Sequence, residues 1–302
     1  MAQSDAKETC IRWLLLGAAS ASILIVGLIF LFLGREALPF LQQRGWSALL
    51  GTRWVPVSLE QESFGLLPLV SGTVLVTVTS MIIAGPVGIC AAVYIAEIAG
   101  PGERRVLRPL IDLLATVPSV VLGFFGLVVL GPLLKDALGL PTGMTALTGA
   151  LLLSLMAIPT VVAVSEEAVR RVPASLKRAS LAVGASQLQT TWRVTVPAAS
   201  SGIVAAVTLG IGRAVGETMA VMMVTGNAPA TTLWPLHSVR TLTATIALDM
   251  GEVSSGSDHY HALFFIGVLL LTVTFMLNLV AQRVLKKAIA WSSPADLFSR
   301  TR

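Results

Sequence analysis

Three features of this sequence predict an all-α polytopic membrane protein with six transmembrane helices and both termini in the cytoplasm. The 302 residues are 55% hydrophobic and only 12% charged, about half the charged share of a soluble domain. The apolar residues gather into six runs near the ~20 residues that a helix needs to cross a bilayer. Of the 21 Lys and Arg, 15 fall in alternate gaps between those runs, and the positive-inside rule assigns those gaps to the cytoplasm. The net charge of +5 is then a topology signal, and nucleic acid is not an expected partner.

The first run, 13–33, is followed by Gly34, Arg35 and Glu36 and not by a small-residue cleavage site, so it reads as a retained anchor. The second, 67–95, is long enough to tilt or to bend at Gly85-Pro86. The others are 110–134, 144–164, 203–224 and 262–280. Pro118, Pro132 and Pro159 lie within or at the ends of spans, where a break is tolerated if neighbouring groups satisfy the freed backbone. Lys7 and Arg12, the Arg104, Arg105 and Arg108 cluster, the basic residues of 165–198, and Arg283, Lys286, Lys287, Arg300 and Arg302 form the cytoplasmic set. The external loops are then 34–66, 135–143 and 225–261. The last carries Asp249, Glu252 and Asp258 beside a Ser/Gly-rich stretch and is expected to be a flexible surface that docks an external partner. The chain divides into an anchor helix and external loop, 1–66, a transmembrane domain, 67–285, and a cytoplasmic tail, 286–302. Cys10 and Cys90 lack CxxC spacing and read as packing residues. His259 and His261 have no third ligand at a metal-site spacing and read as solvated loop residues, so no metal is expected.

Arg213 and Glu217 interrupt the fifth run. An arginine at mid-membrane costs about 2.5–3.5 kcal/mol on insertion scales, so its presence calls for a use. Spacing i, i+4 places the pair on one face of a helix. Gly212 and Gly216 flank it with a small-xxx-small spacing, which points the charged face into protein or an aqueous path, not into lipid. With Thr218 these residues form a candidate substrate pathway. The competing reading is an ion pair that only fixes helix packing.

The segment 165–198 is long, basic and rich in Ala. Pro173 starts a helix, Gly184 breaks it, and Pro197 closes a second one. The apolar residues Leu181, Val183, Leu188, Trp192 and Val194 suit a partner's groove or a membrane surface. Gly184-Ala185-Ser186, followed by Val194-Thr195-Val196-Pro197, resembles the EAA loop of ABC importer permeases, with nine residues between the Gly and the apolar-x-apolar-Pro ending. In that pattern the Glu-Ala-Ala positions fall on Arg178-Ala179-Ser180, so the usual Glu is an Arg here. The resemblance makes Ala179, Ser180, Gly184, Ala185, Val194, Val196 and Pro197 the ATPase-docking loop, a coupling helix between spans four and five.

The stretch from Gly212 to Val221, with Gly226-Asn227 after it, is similar to the signature of phosphate-importer permeases of the PstC type. Phe64–Leu69, Pro118–Val121, Ile158–Thr160 and Ser165–Ala168 also match. Met219-Ala220 stands where the companion PstA type has Ala-Pro. The resemblance implies a permease subunit that translocates inorganic phosphate by alternating access. Its implied partners are a second permease of the PstA type, a PstB-type ATPase dimer and an external PstS-type phosphate-binding protein, with a PhoU-like regulator as an open candidate. Phosphate is a tetrahedral oxyanion that the planar Arg fork matches bidentately. Importers of sulfate, molybdate or phosphonate, or a secondary transporter, are the alternatives. No Gly-x-x-x-x-Gly-Lys-[Ser/Thr] phosphate loop is present, and no catalytic constellation is seen. The chain is therefore expected to bind no cofactor and to be no enzyme, with ATP and Mg used by the partner ATPase.

Overall fold

Within a bilayer only a helix satisfies every backbone donor and acceptor inside its own segment, and the apolar runs accordingly fold as helices. The computed structural model describes residues 2–58 and 62–291. The end of the expected tail, 292–302 with Arg300 and Arg302, lies outside them, as do the side chains of Lys7, Cys10, Lys286 and Lys287. The helices are α1 (Ala2–Arg44), α2 (Leu67–Val93), α3 (Pro101–Thr116), α4 (Ser119–Phe125), α5 (Gly131–Leu138), α6 (Ala146–Arg170) and α7 (Ala174–Ala182). There follow α8 (Gln187–Thr190), α9 (Val196–Ala198), α10 (Ser200–Gly216), α11 (Met219–Val224), α12 (Leu242–Asp249) and α13 (Asp258–Trp291).

Five helical stretches are long and apolar enough to cross a membrane: Ile11–Arg44, Leu67–Ile98, Ser119–Leu138, Ala146–Arg170 and Asp258–Val280. The bent pair Gln187–Ala198 and Ser200–Gly216, 69° apart, makes the sixth. α2, α6 and α10 form the centre. Leu152, Leu153, Ala157 and Val161 of α6 are almost wholly covered. α1 lies at the periphery, chiefly against α13, where Phe30 meets Phe275 and Phe32 meets Phe264 edge to face at 6.3 and 5.7 Å. Its outer face exposes Trp13, Leu14 and Ile23, as a lipid-facing helix must.

The chain crosses so that the segment 171–199, the Arg104 cluster, the start of α1 and the end of α13 gather at one end, called here the elbow end. The hairpin β1 (Trp54–Val55) with β2 (Ser63–Phe64) and the loop before α13 lie at the other, far end. Contacts fix this placement: Lys177 reaches Glu97 at the elbow end, while His261 Nδ1 meets the Glu36 carbonyl at 2.7 Å at the far end.

Four expectations change in detail. The third run does not begin a span at 110. Residues 101–116 form the separate helix α3, with no buried residue, and the chain breaks at Val117-Pro118 before the crossing Ser119–Leu138. Leu110, Leu113 and Leu114 look continuous with the next run in sequence, yet they share α3 with Arg105, Arg108 and Asp112. The loop 225–261 is not a flexible surface, because α12 packs against α13 and α2 within it. His259 and His261 are half-buried first-turn residues of α13, not solvated loop residues. Among the described residues the short hairpin and a single parallel bridge between Gly226 and Val239 depart from an all-α fold. Trp54 and Phe64 stack edge to face at 5.9 Å, and both pack against His259.

Candidate functional site

The sequence places a charged pair on one continuous helix face; the structure breaks that helix between them. α10 ends at Gly216, Glu217 takes an extended backbone (φ −70, ψ 132), and α11 begins at Met219. A break at this depth frees backbone groups that lipid cannot satisfy, so protein or water must. The Glu217 carboxylate accepts a hydrogen bond from the Ala220 N–H at 3.2 Å, an acid capping the first turn of α11. Thr243 Oγ1 donates to the Glu217 carbonyl at 2.9 Å, and Thr218 Oγ1 to the Gly216 carbonyl at 3.3 Å. Thr241 caps α12, whose Leu242 N–H donates to Thr73 Oγ1 at 2.9 Å. A small threonine-lined cavity lies beside the break, bordered by Thr73, Thr77, Glu217, Thr241 and Thr243.

Arg213 is exposed on α10 and has no ion pair or hydrogen bond among the described residues. The i, i+4 pairing is therefore absent, because Glu217 leaves the helix before it can complete the turn. Ile203, Ala206, Gly210 and Ala214 face the bundle. Leu209, Gly212, Arg213 and Gly216 share the outer face, and among the described residues nothing lies within 4 Å of a Cβ built at Gly212 or Gly216. The result is a narrow glycine-lined strip with one unpaired guanidinium in it.

The second candidate region is the elbow. Pro173 opens α7, and Gly184 turns the chain at φ +89, a left-handed conformation that a side chain resists. Ser186 then caps α8 through a capping box with Gln189. Ser180 and Thr190 meet across the turn at 2.9 Å. Of the expected docking residues, Ala179, Gly184 and Pro197 are exposed, while Ser180, Ala185, Val194 and Val196 are half-buried. Around them Leu176, Leu181, Val183, Leu188 and Trp192 stand exposed. Arg178, at the position where the EAA pattern has Glu, is exposed as well.

Pattern reading missed the contacts that anchor this elbow. Lys177 Nζ lies 2.5 Å from Glu97 Oε1, and Gln187 Nε2 donates to the Glu97 carbonyl at 3.3 Å. Arg104 donates from Nε and Nη2 to the carbonyls of Ile95 and Ala96, each at 2.6 Å. Glu166, almost wholly buried, holds Arg170 at 2.6 Å and Arg108 at 3.5 Å. The Lys177–Glu97 partners lie 80 residues apart, so no local pattern could have joined them. Among the described residues no group of three or more His, Cys, Asp and Glu is placed to hold a metal ion.

A six-crossing helical bundle carrying an exposed helix–glycine–helix elbow fits the membrane component of an ABC importer, and the family match shows that class. Residues 84–291 match the family described as the binding-protein-dependent transport system inner membrane component, and the chain belongs to that family. It is 38% identical over 277 residues to the probable ABC transporter permease protein YqgH of Bacillus subtilis, covering 90% of this chain and 89% of that one. It is 33% identical over 304 residues to the phosphate transport system permease protein PstC of Xylella fastidiosa, covering 93% and 91%. The fold is similar to a chain of a bacterial alginate ABC transporter solved with its alginate-bound periplasmic protein. That match has a TM-score of 0.60 at 16% identity over 90% of this chain and 95% of that one. It is also similar to a chain of the inward-facing MetNI methionine ABC transporter, with a TM-score of 0.57 at 19% identity over 74% and 97%. The chain is thus a multi-pass membrane permease subunit of an ABC importer.

Proposed function

We propose that this permease carries inorganic phosphate across the cytoplasmic membrane into the cell by alternating access. The observation that carries the reading is Arg213: an unpaired guanidinium on an open, glycine-lined face of a spanning helix. An uncompensated arginine at that depth is costly and marks a polar path. Its planar fork suits a tetrahedral oxyanion. The face is open in this chain, so a second permease of the PstA type would cover it, with Arg213 on the seam. Thr218 and the peptide groups freed at the helix break offer neutral partners near that path. Glu217, committed to capping α11, acts as the post that holds the break open beside the path and is not an ion-pair partner of Arg213. The PstC-named relatives support phosphate over sulfate, molybdate or phosphonate.

The family implies an ATPase and a substrate-binding protein as partners. On this reading a PstB-type ATPase dimer binds ATP and Mg and docks on the exposed elbow around Ala179, Gly184 and Pro197. A PstS-type protein delivers phosphate at the far end. The basic bias of the elbow end supports a cytoplasmic side for it and for both termini, where a PhoU-like regulator would have access. The division into an anchor and loop over 1–66, a transmembrane domain over 67–285 and a tail stays part of the proposal.

The test is ATP-dependent uptake of radiolabelled phosphate into proteoliposomes holding the chain, its partner subunits and the binding protein. Uptake should need ATP, ignore excess sulfate, and fall about 100-fold or more in Arg213→Gln, the scale of removing one preorganised charged contact. Sulfate competition, uptake without ATP, or wild-type uptake in Arg213→Gln would each overturn it.

A further inference from the structure

The elbow must be fixed to the bundle if a push on it is to move the spans. At its base Val172 and Val196 pack with Val93 of α2, but the apolar side chains of the tip cannot do this, because Leu176, Leu181, Val183, Leu188 and Trp192 are exposed and α7 buries no residue. What holds the tip is polar, and it converges on one residue. Lys177 lies before the Gly184 turn and Gln187 after it, yet both reach Glu97, one through the carboxylate and the other through the peptide carbonyl. The two arms of the elbow therefore clasp the end of the second crossing, Leu67–Ile98. The Lys177 and Glu97 side chains are only 24% and 13% exposed, so water screens the pair weakly and it is stiffer than a surface bridge.

Glu97 also sits at a junction. It belongs to the π-turn Tyr94–Ile98 that ends the second crossing. The preceding carbonyls, Ile95 and Ala96, are gripped by Arg104 of α3. One turn further along α3, Arg108 faces the buried Glu166 of α6. A displacement received at Lys177 thus has a charged and hydrogen-bonded route into α2, α3 and α6. Without the ion pair, Glu97 would keep the Gln187 contact alone of these two, and motion at the tip would be absorbed by the loop.

We infer that Glu97 is a positioning residue for transport: it latches the elbow through Lys177 to the end of the second crossing, so that movement of a docked ATPase becomes movement of the spans. This rests on the reading of the chain as an ATP-driven importer, and it adds the part that carries the stroke.

The test uses the whole importer in proteoliposomes, with phosphate uptake and ATP hydrolysis measured on the same sample. Glu97→Gln and Lys177→Gln should each keep ATP hydrolysis near wild type while phosphate moved per ATP falls about tenfold or more, the scale of one lost charged contact. The swapped pair, Glu97→Lys with Lys177→Glu, should recover most of the ratio. A readout independent of the cargo accompanies it: a fluorophore on Leu233→Cys, exposed at the far end, in a chain with Cys10→Ser and Cys90→Ser. Its ATP-dependent response should be present in the parent and lost in both single variants. A parent that responds to ATP but takes up no phosphate would sink the phosphate reading and leave the latch standing. A normal transport ratio in the single variants, no recovery in the swap, or loss of assembly in both single variants would each overturn the latch.

Discussion

The base of the elbow is set by a close approach of the helices on either side of it, and that approach can be tested by moving one methyl group. Ala168 lies near the end of α6 and Gly202 near the start of α10, so the two bracket the whole elbow. A Cβ built at Gly202 would sit 2.2 Å from the Ala168 Cβ, roughly 1.5 Å inside the ~3.5–4.0 Å separation of carbons in contact. Gly202→Ala therefore forces the helices apart, at the ~1–3 kcal/mol of an overpacked core. It also gains the ~1 kcal/mol by which Ala exceeds Gly in a helix, so the single variant understates the clash. Ala168→Gly loses about that propensity and opens the space. In the double variant the methyl has changed sides and the propensity terms cancel from the coupling. The cycle of wild type, two singles and double should give a coupling of about 1–3 kcal/mol in favour of the double. The assay is unfolding of the purified chain in mixed micelles by graded addition of SDS. Single-variant effects that add to within ~0.5 kcal/mol would mean the helices do not touch there.

Two further outcomes concern the far end and the elbow turn. Arg240 pairs with Asp249, both about 15% exposed, and His259 Nε2 lies 3.2 Å from the second Asp249 oxygen. Arg240→Ala should cost about 3 kcal/mol, the low end for breaking a buried pair because His259 stays, read in the same SDS titration; a loss under ~1 kcal/mol would place the pair effectively in solvent. Gly184→Val must hold a branched side chain at φ +89, a strain of roughly 1–3 kcal/mol. It should leave global unfolding unchanged while trypsin cuts faster near Lys177, Arg178 and Arg193; unaltered digestion would mean the turn tolerates a side chain.

How much was legible depended on the range of the physics involved. The apolar runs and the basic bias are local sums over about 20 residues, so the sequence shows the crossings directly. The elbow is legible for the same reason, since Pro173, Gly184 and Pro197 act on their own backbone. The break at Glu217 was not. Nothing in Gly216-Glu217-Thr218 forbids a helix, and i, i+4 spacing even favours one. The break holds because Glu217 finds the Ala220 N–H and Thr243 finds the Glu217 carbonyl, a contact supplied by a helix 26 residues further on. The start of the third crossing was obscured for a related reason. Leu110 and Leu113 are apolar whether they face a bilayer core or its edge, and only the chain turn at Pro118 separates the two.

Composition, periodicity and turn chemistry by themselves determined six crossings, the placement of an Arg inside one of them, and an exposed elbow between the fourth and fifth. Only the tertiary structure decided that Arg213 stands apart from Glu217, that the loop before α13 is folded, and that Glu97 receives both arms of the elbow. Those outcomes turn on pairings between residues tens of positions apart. The cost of burying an unpaired charge or peptide group is set by whatever the fold brings beside it, and a linear sequence does not display that neighbour.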